Sequence, residues 1–196
     1  MGEIRSAREI AMEKVAKLGE PTDEERWQWK YVPEGEKLAV RYLKQDLSLV
    51  IELGKYDDKV VKYVKEGIGR ILINNITLPK DEPAKKNNRK VMDGLKNLKS
   101  DKVAVENVYS KIRHIFSHYL KQGAEQRKQA YEQLKAEFET KLKQAMEQQL
   151  GLFAGVRIDV EKHPQFRDEW RRITSQLDSQ YLQLLNEYRQ ELLSIA

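Results

Sequence analysis

Apolar residues recur every three or four positions along most of the chain, which is the spacing of one face of an α-helix. Proline and glycine interrupt this spacing at several places, where helices commonly end. The uninterrupted faces predict helices over residues 3–18, 22–29, 34–53, 57–76 and 87–98. The N-terminal half is therefore expected to be a compact helical bundle.

The last 96 residues carry longer amphipathic stretches. Residues 101–150 lack proline and keep a helical face, which leaves open whether they form one helix or two. Val156, Ile158 and Val160 alternate with polar residues and predict a brief extended segment. A long helix should begin at Pro164. Its apolar positions recur with an eleven-residue period: Phe166, Trp170, Ile173, Leu177, Tyr181, Leu184, Tyr188, Leu192 and Ile195.

Two long amphipathic segments joined by a short connection predict an antiparallel helical hairpin. The predicted fold is therefore all-α, with a compact N-terminal helical bundle at 1–100, a basic linker at 79–102 and a long hairpin at 101–196. The nine apolar positions of the last helix are called the C-terminal stripe. One partner helix would leave part of this stripe open to water, so either the same chain or a second copy should cover the remainder.

Three aromatic residues at alternate positions, Trp27, Trp29 and Tyr31, precede Pro33. We expect the short helix to end before this proline, because the residue before a proline avoids helical geometry. The three rings are expected to cover the open end of the helical core rather than to form a ligand platform. Gly67 and Gly69 fall within a helical face, which favours close helix packing over a phosphate loop.

Positive charge is concentrated in one stretch. The net charge is +5, and residues 80–102 hold eight cations and four acids, which is +4 of the total. Such a stretch can bind nucleic-acid phosphates or acidic partners. The candidate nucleic-acid contacts are Lys85, Lys86, Arg89 and Lys90. A solvated helix face is the favoured interpretation, since the stretch has no aromatic residue to stack on a base.

His114 and His118 lie one helical turn apart, which is a spacing that can bind a metal. No Glu-x-x-His pair occurs in the sequence, so a carboxylate-bridged di-iron bundle is not expected. Hydrogen-bonded structural histidines are the favoured interpretation, and no metal or cofactor is expected. No histidine lies beside a recognisable nucleophile motif, so the sequence favours a protein that is not an enzyme.

The chain has no cysteine, which excludes disulfides, thiolate catalysis and iron–sulfur clusters. Acidic residues interrupt the N-terminal apolar positions, so we expect no signal peptide. No stretch approaches the length and apolarity of a membrane span. The expected location is the cytoplasm.

Four stretches resemble a small bacterial family of uncharacterised helical proteins: EIRSAREIAMEKV, WKYVPEGEKLAVRYL, ENVYSKIRHIF and QFRDEWRRITSQLDSQYL. The resemblance covers most of the chain. It implies a bacterial, cytoplasmic, helical protein, and it implies no activity, catalytic residue or binding residue.

These observations favour a structural or protein-interaction role for a homo-oligomer, with a dimer as the first expectation. The expected interface lies on the C-terminal stripe: Phe166, Trp170, Ile173, Leu177, Tyr181, Leu184 and Tyr188. Two alternatives stay open. One is a nucleic-acid-associated protein that uses the basic stretch, and the other is a metal-binding or small-ligand-binding bundle at His114 and His118.

Overall fold

The chain is described by a computed structural model that covers Ser6, Arg8 and residues 20–45, 47–150 and 159–195. Within these residues there are helices and loops but no β-strand, which confirms the all-α prediction. The helices are α1 (Asp23–Lys44), α2 (Leu49–Leu53), α3 (Asp58–Asn74), α4 (Glu82–Leu98), α5 (Lys102–Leu120), α6 (Gln122–Leu150), a short 3₁₀ turn (Val160–Lys162) and α7 (Pro164–Ser194).

Two sequence predictions fall largely outside the described residues. The predicted helix at 3–18 is one of them, since only Ser6 and Arg8 of that segment are described. The predicted extended segment at 156–160 is the other, and of its two described residues, Asp159 precedes the 3₁₀ turn and Val160 begins it.

Two compact units make up the chain, Met1–Leu72 and Ile73–Ala196, and the division falls inside α3. Helix α4 lies in the second unit, whereas the predicted N-terminal bundle ended at residue 100 and included it. Most of the expected basic linker is also helical, because α4 occupies Glu82–Leu98.

Helix α1 runs through Pro33, so the predicted break before this proline is wrong. A capping box begins the helix: the Thr22 hydroxyl accepts the Glu25 backbone N–H, and the Glu25 carboxylate accepts that of Thr22. Pro33 has no N–H to donate to the Trp29 carbonyl one turn earlier. Both residues lie on the exposed side of the helix, where water can bind the released carbonyl group.

A continuous helix also separates the three aromatic residues. Trp27 and Tyr31 are one turn apart on one face, and both are half-buried. The Tyr31 ring meets the Tyr56 ring edge-on, with 6.3 Å between centroids. Trp29 points to the other side and is 66% exposed. The prediction that all three rings cover the core is therefore wrong for Trp29.

Two glycines bring the backbones of α1 and α3 into contact. A Cβ atom on Gly35 would lie 2.1 Å from the Val64 carbonyl oxygen, and one on Gly67 would lie 2.1 Å from that of Val32. Neither position can therefore hold a larger residue unless the helices move apart. Close packing is confirmed at Gly67, while a Cβ on Gly69 would have no neighbour within 4 Å.

The second unit contains an antiparallel arrangement of α5 and α6 against α7. Lys121 separates α5 from α6, so residues 101–150 form two helices. Four contacts show the antiparallel direction, because residues later in α5 and α6 contact residues earlier in α7. The pairs are Lys111 with Glu191, His118 with Tyr181, Tyr131 with Trp170, and Phe138 with Phe166.

The C-terminal stripe only partly matches the buried side of α7. Phe166, Tyr181 and Leu192 are buried, but Leu184 is 43% exposed while Leu185 is fully buried. Burial at positions 178, 185 and 192 follows a seven-residue spacing, which is the spacing of a coiled-coil seam. Leu184 and Leu185 are equally apolar, so the neighbouring helices decide which of the two is buried.

The glycine contact between α1 and α3 predicts the effect of alanine substitutions. Gly35→Ala and Gly67→Ala should each lower the free energy of unfolding by about 1–3 kcal/mol, because the added methyl group forces the helices apart. Gly69→Ala is the matched control, and it should be neutral or raise that free energy by up to about 1 kcal/mol through helix propensity. Urea unfolding followed by circular dichroism measures all three. Equal effects at Gly67 and Gly69 would contradict the prediction.

Candidate functional site

Helix α4 begins at Glu82, five residues before the predicted start at Asn87. The Asp81 carboxylate accepts the Ala84 backbone N–H at 2.7 Å and so caps the helix. Pro83 lies in the first turn, where the missing N–H costs nothing. These two local signals explain the earlier start.

Polar side chains hold the segment before α4. The Asn88 side chain accepts the Thr77 N–H at 2.8 Å and donates to the Thr77 carbonyl oxygen at 2.7 Å. Arg189 of α7 donates from Nε and Nη2 to the Ile76 carbonyl oxygen, at 3.1 and 2.5 Å. Residues 76 and 77 are thereby attached to both α4 and α7.

Helices α4 and α5 run antiparallel and enclose an open groove of about 530 Å³, called the α4–α5 groove. The Lys96 ammonium lies 3.3 Å from the Glu106 carboxylate, and the Tyr109 hydroxyl donates to the Met92 carbonyl oxygen at 2.7 Å. The groove is lined by Pro79, Lys85, Asn88, Arg89, Met92, Asp93, Lys96, Glu106, Tyr109, Arg113, Phe116 and Leu120. Its floor is apolar and its rim is charged.

The charged rim differs between the two halves of the groove. Lys96 and Arg113 both contact the Glu106 carboxylate, and their hydrogen bonds, that of Arg113 first, lower the pKa of Glu106. In the other half, Lys85 pairs with Glu82 at 2.5 Å. Arg89 has no ion pair with any residue that the structure describes.

The four predicted basic contacts divide into two pairs. Lys85 and Arg89 line the groove, whereas Lys86 and Lys90 do not. Residues four apart share one side of a helix, so each pair occupies its own side of α4. The sequence placed all four in one group because it contains no information on which side of α4 meets α5.

The aromatic and apolar part of the groove was not predicted from the sequence. Tyr109, Phe116 and Leu120 come from α5, where Tyr109 belongs to the buried face and the other two lie beside it. They lie next to Lys85 and Arg89 in space but more than 19 residues away in sequence. The three- and four-residue spacing of Tyr109, Arg113, Phe116 and Leu120 indicates that they share one side of α5. This spacing does not indicate that α4 is the helix beside them.

The two candidate metal ligands have separate surroundings. His118 Nδ1 lies 2.9 Å from the Tyr181 hydroxyl, at hydrogen-bond distance. His114 is exposed to solvent. Across the described parts of the chain, no group of three or more His, Cys, Asp or Glu side chains is arranged to hold a metal ion.

The comparison with family models identifies the family. Residues 51–194 match the model of a family of unknown function, DUF6657. The chain belongs to this family. Searches of the curated proteins and of the solved structures gave no match. The DUF6657 match includes the whole α4–α5 groove, and it begins after α1.

A buried carboxylate joins three parts of the second unit within the DUF6657 match. Asp178 of α7 is 6% exposed, and it lies 2.6 Å from the Lys80 ammonium and 3.8 Å from the Arg127 guanidinium. Arg127 stacks over the Tyr119 ring at 4.1 Å and donates to the Tyr119 carbonyl oxygen. We call Lys80, Tyr119, Arg127 and Asp178 the Asp178 cluster.

The negative charge of the buried Asp178 carboxylate is compensated by the two cations beside it, Lys80 and Arg127. Burial, followed by the nearby Asp178 carboxylate, raises the pKa of Tyr119 to about 12, so this phenol stays protonated at neutral pH. A neutral phenol beside a paired carboxylate offers no activated nucleophile. The cluster therefore holds α7 to the α5–α6 junction and to the segment before α4.

Residues of the predicted oligomer interface already pack within the chain to different degrees. Phe166 and Tyr181 are buried, and Trp170, Ile173, Leu177 and Tyr188 are half-buried. Leu184 faces solvent.

The described helices also bear on the membrane expectation, because none of them is long and apolar enough to cross a bilayer.

The Asp178 cluster predicts a large difference between two aspartates of the same helix. Asp178→Ala should lower the free energy of unfolding by about 2 kcal/mol, because it removes a buried acceptor from charged donors. Asp168 is the control, since it forms an exposed ion pair with Arg171, and Asp168→Ala should change stability by less than about 0.5 kcal/mol. Chemical unfolding at neutral pH compares the two. Equal small effects would show that the Asp178 cluster does not stabilise the fold.

Proposed function

We propose that the protein is a non-enzymatic interaction protein that binds an acidic, amphipathic helix of another protein in the α4–α5 groove. The observation that supports this function is an apolar floor between two antiparallel helices. Met92, Phe116 and Leu120 contribute the accessible part of that floor, whereas Tyr109, which also lines the groove, is only 2% exposed. The cytoplasmic location and bacterial origin expected from the sequence are part of the proposal.

The length of the groove fits a helix of several turns. Tyr109 and Leu120 are eleven positions apart on α5, which is about 16 Å at 1.5 Å per residue. A helix that presents apolar side chains at i, i+3 or i+4, and i+7 would cover such a floor. It would become the third helix of a small bundle with α4 and α5.

The rim of the groove favours a partner of opposite charge. Four cations and two acids line the groove, which makes a net charge of +2: Lys85, Arg89, Lys96 and Arg113 against Asp93 and Glu106. Complementary charge around an apolar centre selects partners and speeds their encounter. The occupant should therefore carry acidic residues beside its apolar face.

Binding can be tested with a displayed library of 18-residue amphipathic helices whose apolar positions are fixed and whose other positions are random. Selected peptides should be enriched in Asp and Glu. Leu120→Glu should weaken the binding of a selected peptide at least tenfold, because it places a charge in the apolar floor. Val103→Glu is the matched control on the same helix, since Val103 is 73% exposed and does not line the groove. Fluorescence anisotropy measures the affinities.

Two outcomes would contradict the proposed function. The first is a library that yields no peptide whose binding depends on Leu120. The second is tight, salt-sensitive binding of RNA or duplex DNA that is lost when Lys85 and Arg89 are replaced by Glu, which would favour the nucleic-acid alternative.

Self-association through the C-terminal stripe is a second candidate function. It is favoured by Leu184, an exposed leucine in line with the half-buried Ile173, Leu177 and Tyr188. A second copy could cover this edge of α7 by a two-fold contact. Such a dimer leaves the α4–α5 groove free, because the groove is formed by other helices.

The dimer predicts a mass of twice 23.0 kDa in sedimentation equilibrium at micromolar concentration. Leu184→Glu should give the monomer mass while helicity is retained, because Leu184 is not part of the buried core. Leu182→Glu is the matched control: Leu182 is equally exposed but lies on the opposite side of α7. A single 23.0 kDa species of the unmodified protein would defeat this candidate.

A further inference from the structure

We infer that the bound helix has one orientation, with its C-terminal end beside Arg89. This inference rests on the proposed function, and it identifies how the same groove recognises its partner. The half of the groove that contains Lys85 and Arg89 is called the Arg89 end. The half that contains Asp93, Lys96, Glu106 and the Arg113 guanidinium is called the Glu106 end.

The net positive charge of the groove lies at the Arg89 end. Two cations and two acids line the Glu106 end, so their charges cancel. The Glu106 carboxylate there forms ion pairs with both Lys96 and Arg113. Lys85 and Arg89 remain, and they account for the whole +2 of the lining.

The cations at the Arg89 end are available to a partner. Arg89 is exposed and forms no ion pair among the described residues. Lys85 pairs with Glu82, whose side chain is 83% exposed, and surface pairs of this kind contribute little. A carboxylate of a bound helix can replace Glu82 without leaving a buried charge unpaired. At the Glu106 end a new carboxylate would meet the negative charges of Asp93 and Glu106 in the groove lining itself, whereas Glu82 is not part of the lining.

Helix polarity adds to this asymmetry. The unpaired carbonyl groups at the C-terminal end of a helix carry a partial negative charge, and the N-terminal end carries a partial positive charge. Helices α4 and α5 run antiparallel, so their own dipoles largely cancel in the groove. A bound helix is therefore most favourable with its C-terminal end and its acidic residues at the Arg89 end. It then runs parallel to α5 and antiparallel to α4.

The orientation can be measured with a selected peptide of the library, bound to the full chain. A nitroxide at the C-terminus of the peptide should broaden the backbone amide signals around Arg89, and one at the N-terminus should broaden those around Lys96. Two further peptides keep the apolar face and carry the same number of Glu and Gln residues, with Glu either in the C-terminal or in the N-terminal half. A hydrocarbon crosslink equalises their helicity.

The peptide with Glu in its C-terminal half should bind at least tenfold more tightly than its isomer. Arg89→Glu should remove this difference. Lys86→Glu is the matched control, because it makes the same change of charge on α4 outside the groove lining. It should leave the difference in place.

The outcomes separate the orientation from the proposed function. If the nitroxide effects are reversed or do not depend on which peptide end is labelled, the orientation is wrong and binding in the groove stands. Equal affinities of the two isomers, or an equal effect of Arg89→Glu and Lys86→Glu, would also overturn the orientation. Failure of every peptide to bind in a Leu120-dependent way would remove the proposed function itself.

Discussion

The second unit depends on how the polar backbone of the segment before α4 is satisfied. Ile76 and Leu78 bury their side chains, and the hydrogen bonds to the peptide groups of the exposed Thr77 between them are partly buried. A buried N–H or carbonyl group without a partner is costly. Asn88 satisfies both groups of Thr77, and Arg189 satisfies the carbonyl of Ile76. These bonds position α4, and the position of α4 creates the groove.

Helix α7 contributes to this arrangement with charges as well as apolar contacts. Asp178 forms an ion pair with Lys80 of the segment before α4, and Arg189, about three turns further along α7, donates hydrogen bonds to the same segment. Burial lowers the pKa of Arg189, which shows the cost of placing a guanidinium away from water. The hydrogen bonds to the Ile76 carbonyl offset this cost. Helix α7 therefore packs Phe166 and Trp170 against the aromatic rings of α6, and it also orders the segment that leads into α4.

The groove combines two features that are far apart in the sequence. Helix α4 supplies cations without an aromatic residue, and α5 supplies Tyr109 and Phe116. Helix α4 alone lacks the aromatic side chains of the groove lining, and α5 alone lacks Lys85 and Arg89. Asp93 and Glu106 balance Lys96 and Arg113 in one half of the rim, so the net positive charge comes from Lys85 and Arg89 in the other half. The groove is consequently a property of the pair of helices.

Local physical chemistry made much of the secondary structure predictable from the sequence. The three- and four-residue spacing predicted the helices, because a helix needs one apolar face to pack. Gly67 in such a face predicted a close helix contact, and Gly35 supplies the matching position on α1. The N-terminal cap at Thr22 follows from the same local rules, since hydroxyl and carboxylate side chains bond the first free N–H groups.

Only the tertiary structure decided the features that depend on neighbours. Helix α1 continues through Pro33 because solvent lies beside the released carbonyl group, and proline chemistry alone predicted a break. Leu185 is buried instead of Leu184 because helix packing covers that side of α7, where α5 is the neighbouring helix. Lys85 and Arg89 line the groove while Lys86 does not, because α5 packs beside one face of α4. The sequence determined which residues could be buried or charged, and the packing of the helices determined which of them meet.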